Sequence, residues 1–187
     1  MSLRPSIYSL RKHGAVLATR GLGAEIAAAL RAGDVSSDGL ILDFKGVRVA
    51  SSPCLDEIAC ALRSMIADNP PRFVLLGNMN EDLVDTMELV VERRDIVLTA
   101  VRDGKLQTVG GTRQLDETLA AAEELGTFTA PELAEQLELK LPNLHQRLNQ
   151  LMSAGALTKA DDPSAQRGRR LLFSAPEPES RALAGSC

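Results

Sequence analysis

Apolar and polar residues follow two different rhythms along this chain. In the first part, short aliphatic runs at 14–20 (GAVLATR), 39–44 (GLILDF), 72–77 (RFVLLG) and 95–101 (DIVLTAV) are bounded by turn residues and read as strands. Between them the apolar residues recur at helical spacing: Leu22, Ile26 and Leu30 in 22–32, Leu55, Ile58, Leu62 and Met65 in 54–67, and Leu83, Met87, Val90 and Val91 in 81–93. Strand alternating with helix predicts an α/β fold with a mostly parallel sheet covered by helices. Asp103-Gly104 separates 96–102 from 105–109 and predicts a hairpin or an edge extension.

After Gly110-Gly111 the rhythm changes. Helical spacing runs through 113–125, Gly126 supplies a cap, and further helices are expected over 130–138 and 142–154. Two strand candidates, 156–160 and 170–174, flank a charged loop. The pattern places a boundary near 110–112 and gives an α/β unit over 1–111 and a small helical unit over 112–174. The stretch 175–187 (APEPESRALAGSC) has two prolines and few bulky apolar residues, and reads as a disordered tail.

Composition narrows the partners. The 187 residues carry a formal net charge of -4, which excludes a broad polyanion-binding face and confines any nucleic-acid contact to a local patch. Cys54, Cys60 and Cys187, with His13 and His145, lack the spacing of metal ligands, so no metal site and no cofactor is expected. Free thiols and the lack of any run near the roughly 20 apolar residues that cross a bilayer point to the cytoplasm, without a membrane partner.

The 129–174 segment holds the local patch. Thr129 is placed to cap a helix that has Pro131 in its first turn and Glu132 at the capping-box position, and Leu133, Ala134 and Leu137 face a core. Leu139 and Leu141 occupy a tight turn, and Pro142-Asn143 opens the next helix, where Leu144, Leu148 and Leu151 repeat at helical spacing. Its other face carries Asn143, His145, Gln146, Arg147, Asn149 and Gln150. Amide and guanidinium groups are the side chains that pair with adenine and guanine edges in the major groove. Arg167, Arg169 and Arg170 sit in the following loop, where they would press on phosphate or the minor groove. Residues 113–174 resemble the winged helices of bacterial repressors of the multiple-antibiotic-resistance and arsenic-repressor types. The resemblance implies that the 142–154 helix enters the groove and that the wing flanks it. Against it stand the acidic residues Glu117, Glu123, Glu124, Glu132, Glu135 and Glu138, which repel phosphate unless they point away.

In the first unit, ILDFKGVRVASSPCLDEIACALRSMI places Asp43 at a strand end, Val47 and Val49 in a short link, and Ser51 and Ser52 before Pro53 at a helix start. Residues 14–101 resemble the STAS domain, and more closely the STAS-like modules found beside histidine-kinase-type ATPases. The resemblance implies a kinase-type ATPase or another protein as partner, and phosphorylation or docking at Ser51 or Ser52. Ala50 and Pro53 stand where the family pattern has Asp and Gly. A hydroxyl there also caps the helix, which is the simpler role.

Gly21-Leu22-Gly23 between a strand and a helix, with Asp43 about twenty residues on, matches part of a dinucleotide-binding fingerprint. Ile26 fills the position of the third glycine, and no catalytic dyad follows. Asp56 and Glu57, adjacent at a helix start, complement the helix dipole better than they form an acid–base pair. The reading is therefore a homodimeric transcriptional regulator of duplex DNA rather than an enzyme, with a partner-switching protein that lacks DNA affinity as the alternative.

Overall fold

The computed structural model describes residues 5–33, 39–68, 73–163 and 171–177. It is a mixed α/β structure with a mostly parallel central sheet, and six α-helices among the described residues. The first unit runs β1 (Ser6–Ser9), β2 (Val16–Leu17), α1 (Arg20–Ala32), β3 (Leu40–Asp43), β4 (Val49–Ala50), α2 (Ser52–Asp68), β5 (Val74–Gly77), α3 (Glu81–Arg94), β6 (Leu98–Arg102) and β7 (Lys105–Val109). The central sheet has the order β1-β3-β5-β6-β7, parallel except for the final β6–β7 hairpin across Asp103-Gly104.

One expected strand is corrected. Of 14–20 only Val16–Leu17 forms a strand, and it pairs with Val49–Ala50 in a separate two-stranded sheet. The central-sheet position beside β3 belongs instead to Ser6–Ser9. A short 3-10 turn over Leu10–His13 and Gly14 at φ 117 break the chain between the two, and Thr19, capping the Leu22 N–H, starts α1 at once.

Each parallel connection advances one strand in the same direction, so crossovers of one hand lay α1, α2 and α3 on one face. Leu40, Leu42, Val74, Leu76, Leu98 and Ala100 point into that layer and are buried with Ile26, Leu55, Ile58 and Met87. Strand side chains alternate faces, so Ile41, Phe73, Leu75 and Val101 point the other way, and a second layer has to cover them.

That layer is the remainder of the chain: α4 (Arg113–Leu125), β8 (Thr127–Phe128), α5 (Ala130–Gln136), α6 (Leu141–Ser153), β9 (Thr158–Asp161) and β10 (Leu171–Ser174). Leu119, Phe128, Leu144, Leu148 and Leu151 share one buried cluster with Ile41, Phe73, Leu75, Val101 and Leu106 of the sheet. The chain leaves the sheet after Val109, close to the expected boundary at 110–112, yet the packing does not divide there. Polar bonds tie the layers as well. The Val74 N–H donates to the Gly155 carbonyl at 2.9 Å, and the fully buried Thr99 hydroxyl donates to the Ala154 carbonyl at 2.9 Å. On the outer edge of β7, the Leu106 N–H donates to Glu123 and the Thr108 N–H to Asp116, at 3.0 and 2.7 Å. Two carboxylates thus occupy edge groups that would otherwise invite another strand.

Candidate nucleic-acid interface

The pair of helices expected to approach DNA forms as α5 and α6. Thr129 and Glu132 cap α5, with the Thr129 N–H donating to Glu132 Oε2 at 2.7 Å. A turn with Glu138 at φ 52, closed by the Leu139 N–H on the Ala134 carbonyl at 2.9 Å, leads into α6. Leu139 packs against the core, whereas Leu141 begins α6 and is 42% exposed. Gly155 ends the helix in the left-handed region at φ 70, with the Ala156 N–H reaching back to the Leu151 carbonyl at 2.9 Å. A Cβ at Gly155 would stand 2.9 Å from Val74 Cβ, so both the turn and the close approach to β5 call for glycine.

Leu144, Leu148 and Leu151 are fully buried, and each contributes roughly 1.5–3 kcal/mol of burial. At 3.6 residues per turn, Asn143, His145, Gln146, Asn149 and Gln150 fall within roughly 160° of arc on the opposite side, and all five are exposed. Arg147 departs from this set. Its guanidinium donates to the Gln114 carbonyl at 3.3 Å and to Thr118 Oγ1 at 3.1 Å, which commits it to fastening α6 onto α4. The wing arginines Arg167, Arg169 and Arg170 lie outside the described residues; the strands beside them, β9 and β10, pair antiparallel in a sheet of order β8-β10-β9.

The acidic side chains of the neighbouring helices are largely engaged elsewhere. Asp116 and Glu123 hold β7, Glu132 caps α5, Glu124 accepts from Gln136 and Glu117 pairs with Arg113. The outward arc of α6 itself carries no carboxylate. A cleft of about 1010 Å³ runs along the second half of this arc, between Gln146, Asn149 and Gln150 on one side and Arg63 and Asp95 on the other. His145 stands instead over a smaller hollow of about 460 Å³ beside α5 and β10.

The remaining candidates take structural places. Ser51 Oγ accepts from the Cys54 N–H at 3.4 Å, the capping geometry, and Ser52 is the first residue of α2. Asp43 accepts from the Lys45 N–H at 2.9 Å and from Asn78 Nδ2 at 2.8 Å, joining the ends of β3 and β5. Gly23 is filled from the other side by α2, since a Cβ there would lie 2.5 Å from the Cys54 carbonyl oxygen. That contact explains the glycine without a dinucleotide. Asp56 and Glu57 form ion pairs with Arg94 and Arg20, at 2.6 Å in each case. Burial pushes the Cys54 thiol up to about 11, so it stays protonated at neutral pH. Tyr8 and His13 bond each other at 3.0 Å.

Among the described residues no helix is long and apolar enough to cross a membrane, and no group of three or more His, Cys, Asp or Glu could hold a metal. Comparison with protein-family models, with curated proteins and with solved structures finds no match.

Proposed function

We propose that this chain is a sequence-specific DNA-binding transcriptional regulator. In this reading, 112–174 is a winged helix-turn-helix whose α6 lies in the major groove, and the sheet with α1, α2 and α3 is a STAS-like regulatory unit. The observation that carries it is the outward arc of α6: four amides and an imidazole, with no carboxylate, opposite a fully buried leucine stripe. Asn and Gln offer paired donor and acceptor to adenine, the contact that reads sequence rather than charge. The order α4, β8, α5, α6, β9, β10 and the sheet β8-β10-β9 support the same reading, because they set a hairpin beside the helix pair.

The way α6 is held supports the regulatory role. The turn that ends the helix is bonded to β5 and β6 through Gly155 and Ala154. A partner protein or a second copy that docks on the sheet unit therefore acts on the aim of α6 through the strands themselves.

A mobility-shift assay of the full chain on sheared genomic DNA tests the reading. A retarded band at about 50 mM salt that weakens toward about 200 mM is expected, because phosphate contacts release counterions. No band at the lower salt would overturn it and leave the partner-switching protein.

A further inference from the structure

We propose that the first unit contributes directly to the DNA interface, with Arg63 of α2 and Lys159 of β9 clamping one sugar–phosphate strand in the cleft beside α6. The inference rests on the DNA-binding reading and adds a second, sequence-independent element to it. The cleft is about 1010 Å³ and is lined by Arg63, Asp95, Gln146, Asn149, Gln150 and Lys159, over aliphatic side chains that include Val97 and Leu157. Three of these residues belong to the base-reading arc, so a duplex seated on α6 brings its backbone to the cleft. Among the described residues Arg63 and Lys159, both exposed, are its two cations, and they come from different units of the chain. A guanidinium has five N–H donors, and that of Arg63 spends one on the Arg94 carbonyl at a distant 3.5 Å. Among the described residues the others meet no acceptor, and they can turn to phosphate oxygens. Among the described residues Asp95 is the one carboxylate in the lining, and it opposes the same phosphates. In a chain of net charge -4 this gives the local basic contact that a DNA-binding face requires.

The signs of the effects separate the clamp from simple damage to the fold. Binding of the full chain to a fluorescent random-sequence duplex is measured by anisotropy across a salt series, with melting of each variant as a control. Arg63→Ala and Lys159→Ala each weaken binding several-fold and lower the slope of log affinity on log salt by about 0.9, the value of one phosphate contact. Asp95→Asn tightens binding several-fold, and Arg31→Ala, an exposed arginine outside the cleft, changes neither quantity. Unchanged affinity and slope in Arg63→Ala and Lys159→Ala, with the unmodified chain still binding, would overturn the clamp while leaving α6 as the reader. Absence of binding by the unmodified chain would overturn both.

Discussion

The two faces of the central sheet are covered in different ways. On one face, α1, α2 and α3 are the crossovers between neighbouring strands, and their contact is largely aliphatic, with Gly23 letting α1 and α2 meet backbone to backbone. At the rim, Arg20 and Arg94 form ion pairs with Asp56 and Glu57. On the other face sits a unit from the far end of the chain, fastened by polar bonds as well as by apolar contact. Thr99, Val74, Leu106 and Thr108 each bond a group of the second layer. A layer held only by apolar contact can slide, whereas directional bonds fix one register. The second face thus sets the angle at which α6 is presented.

The largest expected effects probe whether the two layers share one core. Leu148→Ala and Ile58→Ala remove fully buried side chains from opposite faces, and each should cost about 2–5 kcal/mol. Calorimetry should show both lowering a single transition. Two transitions, each moved by one substitution alone, would divide the chain into separate units.

Gly155→Ala sharpens the comparison, because it attacks the fastening rather than the core. A Cβ at φ 70, 2.9 Å from Val74 Cβ, should cost about 2–4 kcal/mol through backbone strain and overpacking. Denaturation should show the loss, and exchange protection at the Val74 amide should drop with it. Thr99→Val keeps the shape and removes one hydroxyl, at an expected cost of about 1–2 kcal/mol, since the Ala154 carbonyl is left buried without its donor. Equal stability of this variant and the parent would mean that the polar bond fastens nothing.

The rim of the first face should respond least, and only in acid. Hydrogen bonds from Arg94 hold the Asp56 carboxyl below the usual carboxylate range. Its contribution is complete above the ordinary value of about 4 and is lost as pH falls through the lower folded value. Asp56→Asn should therefore flatten the acid limb of stability against pH, measured by urea midpoints, and change little of its shape above pH about 5.

Most elements of both units could be read from periodicity, because apolar residues at helical spacing and glycine stops fix helices such as 113–125 to the residue. Short strands escaped for a physical reason. Ser6–Ser9 is an edge strand of four residues with Ile7 half exposed, so it lacks the apolar run that marks a buried strand. The two-residue β8 has no period at all. The packing of the second unit on the sheet left a trace in the unbroken apolar runs LIL (40–42) and FVLL (73–76), whose two faces both needed cover. The outward set on α6 followed from helical spacing, except for Arg147. Spacing gives an angle, but not that Gln114 and Thr118 of another helix stand within reach of a long side chain at the edge of the buried stripe.

The central claim is that α6 reads base sequence, and sequencing the DNA fragments retained by the full chain tests it most directly. Unmodified protein and a variant with Asn143, Gln146 and Asn149 all replaced by Ala would be compared on the same random library at the same salt. The account predicts a shared sequence motif enriched by the unmodified chain and lost in the variant, with similar melting of the two proteins because all three side chains are exposed. The same motif recovered with both proteins, or none with either, would contradict it.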